Sequence, residues 1–134
     1  MKVKLIVVFN HRFDKNIPML NKIYANRFSS IDYLVPFYDG EKNIGSNKII
    51  PVYDSSYQFH GFFAQGFNDF YEDDVDYYFF VGDDVLLKRE IDESSVFSTL
   101  GVNHGECYID SIKTLHEFDN WGFVQENRHY ATWK

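Results

Sequence analysis

Two adjacent carboxylates, Asp83 and Asp84, follow Gly82 at the end of the apolar run Tyr77, Tyr78, Phe79, Phe80 and Val81. Acids placed side by side repel, and each gains from a cation. A hard divalent ion with oxygen ligands, Mn²⁺ or Mg²⁺, offsets that repulsion and can bridge to a diphosphate. The run before them has no polar alternation, is too short for a helix and is rich in β-formers, which predicts a strand buried on both faces and central to a sheet. Asp83 and Asp84 then sit just past its carboxyl end, where open α/β sheets place their ligands. The same dipeptide also reads as a solvated turn with an Asp capping a following helix, so the context has to decide.

With 134 residues the chain is expected to form a single domain around one core. Its aromatic share of 19% exceeds what a small core needs for filling, so some rings are expected to face a ligand or partner. A net charge of -7 without clustered Lys and Arg excludes nucleic acid and anionic membranes as partners. An anionic substrate would therefore need a metal to screen it. A single Cys rules out an internal disulfide and suits a reducing compartment, so a cytoplasmic location is expected. Lys2 and Lys4 precede the apolar run 5–9, which is too short for a signal sequence and reads as a strand. Nothing approaches a membrane span.

The remaining elements must bring other polar groups to the same edge. Residues 3–9 predict a buried strand ending in Asn10, His11 and Arg12. Asn16 is placed to cap a helix with Pro18 in its first turn, and Leu20, Ile23, Tyr24 and Phe28 then share one face. Residues 31–38 read as a strand whose Pro36 suits an edge or a strand end, closing in Asp39 and Gly40. Residues 41–48 read as a polar loop, and 49–53 as a short strand ending at Asp54. Ser55 and Gln58 have the form of a capping box ahead of a helix whose stripe of Phe59, Phe62, Phe63, Phe67, Phe70 and Tyr71 is expected to be core. Gly61, Ala64 and Gly66 allow close packing or close approach of a ligand to the backbone. Residues 72–76 read as a solvated acidic turn, 91–100 as a short helix capped by Ser94 or Ser95, and 107–109 as one more strand. This alternation predicts an α/β fold with a mostly parallel sheet flanked by helices, gathering Asn10, Asp39, Asp54 and Asp83 on one rim.

On these residues the chain resembles the nucleotide-binding part of a GT-A type glycosyltransferase. The resemblance covers about the first hundred residues and rests on arrangement more than on a long exact match. It implies a Rossmann-like three-layer sandwich that uses a nucleotide-diphosphate sugar, a UDP-sugar foremost, and a divalent metal held by a DxD motif. By that likeness Asn10, Arg12 and Asp39 contact base and ribose, Gly61 belongs to the segment passing under the nucleotide, and Asp83 and Asp84 hold Mn²⁺ or Mg²⁺. Gly82 stands where many members have the first acid of DxD, which shifts metal binding toward Asp84 with Asp83 in support. Such enzymes usually continue into an acceptor-binding half, so this chain is expected to be either a fragment or a minimal form of one.

The implied reaction transfers a sugar to a saccharide or other hydroxyl acceptor. Arg12, Lys48 and Arg89 are the cations available to the departing diphosphate, and each also reads as solubilising surface charge. An inverting enzyme needs a general base, for which Glu117 and Asp119, beside Trp121, are the first candidates; the simpler reading makes Trp121 and Phe123 core aromatics next to surface acids. His104 with Cys107, or His116 and His129, has no regular zinc spacing. The alternative function is a non-catalytic carbohydrate-binding or protein-interaction module on the same scaffold, with the acids as turn residues and the surplus aromatics as contact surface.

Overall fold

The computed structural model describes residues 1–53 and 61–108. The chain divides into two compact units, Met1–Thr99 and Leu100–Lys134, and all the elements that position the site lie in the first. Within the second, the described stretch 101–108 carries a small turn in which the Asn103 backbone and side-chain N–H groups both donate to the Glu106 carboxylate, at 2.9 and 3.0 Å.

The β-branched run at the amino terminus forms β1 (Val3–Val8), every residue of which is buried. Asp14–Asn16 makes one 3-10 turn and leads into α1 (Ile17–Tyr24), with Pro18 in the first turn, where its missing N–H costs nothing. Asn16 occupies the capping position but makes no side-chain capping bond. β2 (Ser30–Pro36) is buried from Ile31 onward and ends at its proline, as expected from the absent N–H. The segment read as a polar loop is instead a tight hairpin: β3 (Asn43–Ile44) pairs antiparallel with β4 (Asn47–Val52) through Gly45 and Ser46, and Gly45 takes the left-handed φ of 63° that lets the chain reverse. Helix α2 (Gly61–Phe70), strand β5 (Tyr77–Gly82) and helix α3 (Val96–Leu100) follow. In the turn ahead of α3 the Asp92 carboxylate accepts the N–H groups of Ser94 and Ser95, and Ser95 Oγ accepts the Asp92 N–H in return. Cys107 and Tyr108 are not in a strand. The proposed capping box at Ser55 and Gln58, together with Asp54 and Phe59, lies outside the described residues.

The five strands form one sheet in the order β3-β4-β2-β1-β5, parallel except for β3. This corrects the expectation for the run before the acids: among the described residues β5 pairs with β1 alone, and Phe80 is 39% exposed. The centre belongs to β1 and β2. Side chains alternate across the sheet, so Ile6, Val8, Leu34, Ile50 and Val52 meet Phe62 and Phe70 of α2 on one face. On the other, Tyr24 at the end of α1 meets Phe28 edge-on, Phe28 meets Phe79 of β5 at a tilt, and Phe9 lies against Tyr33. The aromatic stripe of α2 therefore divides. Phe62 and Phe70 are buried as expected, whereas Phe67 and Tyr71 face outward and stack on each other, because a narrow stripe suffices to cover the sheet at this point. Ile23 of α1, expected on the buried face, is likewise at the surface.

Of the two readings left open for the small residues of α2, Gly66 is settled by contact: a Cβ there would stand 2.7 Å from Leu34 Cδ2. The helix is seated directly on the sheet. Gly66→Val is expected to lower unfolding stability by about 1–3 kcal/mol through overpacking, read as a reduced urea midpoint at unchanged slope.

At the amino-terminal ends of the strands, Lys4 of β1 is buried and its Nζ donates to Asp32 Oδ2 at 3.0 Å, Glu72 Oε1 at 2.6 Å and the Phe70 carbonyl at 3.0 Å. Asp32 also accepts the Lys48 N–H, and Lys48 Nζ donates to the Asp69 carbonyl. The acidic turn 72–76 is thus more than a solvated connection, since Glu72 and Asp74 also pair with Lys2. The hydrogen bond from Lys4 holds Glu72 below its ordinary value of 4.5, and that from Lys2 holds Asp74 below 3.8. Carboxyls depressed in the folded state contribute stability that is full above their unfolded values and disappears as pH falls through their folded ones. Melting temperature is therefore expected to hold down to about pH 5 and to drop below about pH 4, which thermal melts across that range would check.

Candidate functional site

Counting only the parallel strands, the spatial order is β4, β2, β1, β5, so the chain winds outward from β1 first one way and then the other. α1, between β1 and β2, covers one face, and α2, between β4 and β5, covers the other. The order reverses between β1 and β5, and at such a switch point two neighbouring connections leave the sheet in opposite directions and open a crevice. A cleft of about 300 Å³ lies there, lined by Val8 and Asn10 from the end of β1, Phe80, Val81, Gly82, Asp83 and Asp84 from the end of β5, and Phe63 from α2. Its volume is at the small end for ligand pockets, which run roughly 300–1,000 Å³.

The two acids differ in setting. The ladder continues past β5 through the Asp83 N–H, which donates to the Val8 carbonyl at 3.1 Å and fixes this residue half-buried beside β1. The turn is closed by the Val85 N–H on the Gly82 carbonyl, also at 3.1 Å. Burial first and the Asp84 charge second raise the Asp83 carboxyl above its ordinary value, and only in part is this offset by a backbone hydrogen bond and by His11. Asp84 is exposed, and its Oδ1 lies 2.8 Å from the point a Gly82 Cβ would occupy. Glycine at 82 thus gives the Asp84 carboxylate its room. The donor set fits a divalent cation of one kind. Two adjacent carboxylates, one of them half-buried, gain from a shared positive charge, and Mg²⁺-like ions are commonly held by one or two acids with substrate phosphates completing the shell. Among the described residues no group of three or more His, Cys, Asp or Glu converges.

A second cluster stands on the same rim at the end of β2. Arg12 donates to Asp14 Oδ1 and Asp39 Oδ1, both at 3.0 Å, and to the Phe37 carbonyl at 2.9 Å, and its guanidinium lies over the Tyr38 ring. Phe37 has φ 52°, unusual for a bulky residue and costing about 1–3 kcal/mol. It is held there by its N–H on the Val52 carbonyl at 2.7 Å and by the Arg12 bond to its own carbonyl. Its exposed ring meets that of Tyr53 edge-on.

The residues singled out in the sequence therefore fall into three places. Asn10, Asp83 and Asp84 share the cleft. Arg12 and Asp39 form the neighbouring ion pair, in which Asp39 keeps 82% of its side chain exposed and Arg12 is occupied by two carboxylates. Gly61 opens α2 but does not line the cleft, while Phe63 two residues on does. Lys48, considered for the diphosphate, belongs to the opposite end of the sheet with Asp32, Asp69 and Glu72. Arg89 lies exposed beyond β5. Glu117 and Asp119 lie outside the described residues. The sequence reading missed Phe63 and Phe80 as cleft walls. A strand buried on one face only would have pointed to Phe80, but an unbroken apolar run conceals that asymmetry.

Comparison with protein-family models, with curated proteins and with solved structures finds no match to this chain. No helix among the described residues is long and apolar enough to cross a membrane.

Proposed function

We propose that this chain is the nucleotide-sugar-binding part of a metal-dependent glycosyltransferase, built as a Rossmann-like three-layer sandwich of the GT-A type. The observation that carries the reading is the coincidence of a switch-point cleft with an adjacent acid pair at its mouth, one acid half-buried and one exposed. Asp83 and Asp84 would hold Mn²⁺ or Mg²⁺, which supplies Lewis-acid stabilisation to a departing diphosphate. Asn10 can hydrogen-bond a polar group within the cleft, and the exposed carboxylate of Asp39 can accept a ribose hydroxyl. Arg12, already shared between Asp14 and Asp39, orients Asp39 in preference to neutralising phosphate. Phe63 and Phe80 offer an apolar wall that excludes water and suits the flat face of a sugar ring. Glu117 and Asp119 are the proposed candidates for general base, and a saccharide or other hydroxyl compound the proposed acceptor.

The exposed aromatic pair Phe37 and Tyr53 favours a second reading, a non-catalytic carbohydrate-binding or interaction module. Calorimetric titration with UDP, with and without Mn²⁺, separates the two. Binding that requires the metal supports the transferase; no binding under either condition sinks it.

A further inference from the structure

The segment that leaves the acid pair, residues 85–91, forms neither helix nor strand, and Val85 and Leu86 are exposed. Irregular backbone of this kind is mobile unless its polar groups are tied elsewhere. Here they are tied by two side chains, Tyr24 at the end of α1 and Arg27 in the turn that follows it. The Tyr24 hydroxyl donates to the Val85 carbonyl at 3.3 Å and accepts the Leu87 N–H at 3.2 Å. The Arg27 guanidinium donates to the carbonyls of Leu87, Lys88 and Ile91, and lies over the Tyr24 ring at 5.1 Å. The far end is fixed as well: the Glu93 N–H donates to the Arg27 carbonyl at 2.9 Å, and the Glu93 carboxylate accepts the N–H groups of Val3 and Ser29.

We infer that Tyr24 and Arg27 are positioning residues for the Asp83–Asp84 turn, holding the outgoing strand end so that both carboxylates stay at the cleft. Tyr24 is fully buried with its ring edge-on to Phe28, so its hydroxyl is a rigid post, and it reaches a residue adjacent to Asp84. Three carbonyls around one guanidinium use a planar fork of donors that a lysine cannot reproduce. Neither residue lines the cleft, so their effect on a ligand passes through the turn alone. The inference rests on the transferase reading for its ligand, but not for the clamp itself.

The test compares wild type with Tyr24→Phe, which keeps the ring and removes only the hydroxyl, and with Arg27→Lys, which keeps the charge. Hydrogen exchange should show faster exchange of the Leu87 amide and its neighbours in Tyr24→Phe. UDP affinity in Mn²⁺, measured well below the melting temperature, should fall about tenfold in either variant, the scale of one lost buried hydrogen-bonding partner. A purely structural role would lower the melting temperature and leave that affinity unchanged, which overturns the inference. Unchanged exchange across 85–91 overturns the clamp itself. If wild type binds no UDP with Mn²⁺, the transferase reading falls and the positioning role with it, an outcome distinguishable because the exchange result is obtained independently.

Discussion

Lys4→Ala is expected to be the most destabilising single substitution among the charged residues, costing about 3–5 kcal/mol because one partner of a buried ion pair is removed and the other is stranded. For a chain of this size that is a fall of about 10–20 °C in melting temperature. The side chains of Lys4 and Asp32 are 1% and 3% exposed, so water cannot replace the lost partner. Glu72, about one-third exposed, can be rehydrated and suffers less. The double substitution Lys4→Met with Asp32→Leu is expected to recover most of the loss, since replacing both charges removes the desolvation penalty that breaking one exposes. Thermal melts of the two variants check both statements. A Lys4→Ala protein melting within about 3 °C of wild type would mean that the network contributes little.

Asp83→Ala is expected to reduce UDP affinity in the presence of Mn²⁺ by about 100-fold or more, because changes merely adjoining a metal ligand already cost about 10–100-fold. The residual affinity should equal that of wild type without metal, which is the sharper criterion. Asp84→Ala should act in the same direction. The half-buried acid is the more rigid of the two, anchored through its N–H to Val8, so its loss is expected to be the larger. Folding should be spared, since removing a carboxyl that burial makes costly to ionise relieves a penalty. Titration calorimetry on each variant reads the affinity, and a melt at the same pH reads the fold. If Asp83→Ala binds UDP with metal as wild type does, the acid pair is a turn and nothing more.

The two predictions concern opposite ends of one sheet, and they differ in how visible their residues were beforehand. Asp83 and Asp84 were legible because they end an apolar run, and a parallel strand delivers whatever follows it to the ligand-bearing rim. The likeness of Asn10 and Asp39 to rim residues was legible for the same reason. Lys4 and Asp32 were not. Each sits inside an apolar strand, where a single charge reads as an interruption, and the pairing joins residues 28 apart in the chain. The hairpin of β3 and β4 was hidden by the shortness of β3, two residues in which no alternation can be counted. The Tyr24 and Arg27 clamp escaped for another reason, since its partners are backbone carbonyls, which carry no sequence signature.

Periodicity and composition alone were enough to establish an α/β chain with parallel strands, two covering helices and acids at a strand end, because each depends on neighbours a few residues away. Only the tertiary structure decided that β1 and not β5 is central, that the reversal of strand order falls beside Asp83, and that Lys4 has its counter-charges. Those outcomes depend on which strands lie side by side, and strand neighbours are chosen by burial and hydrogen bonding across the whole sheet, over distances that no local pattern records.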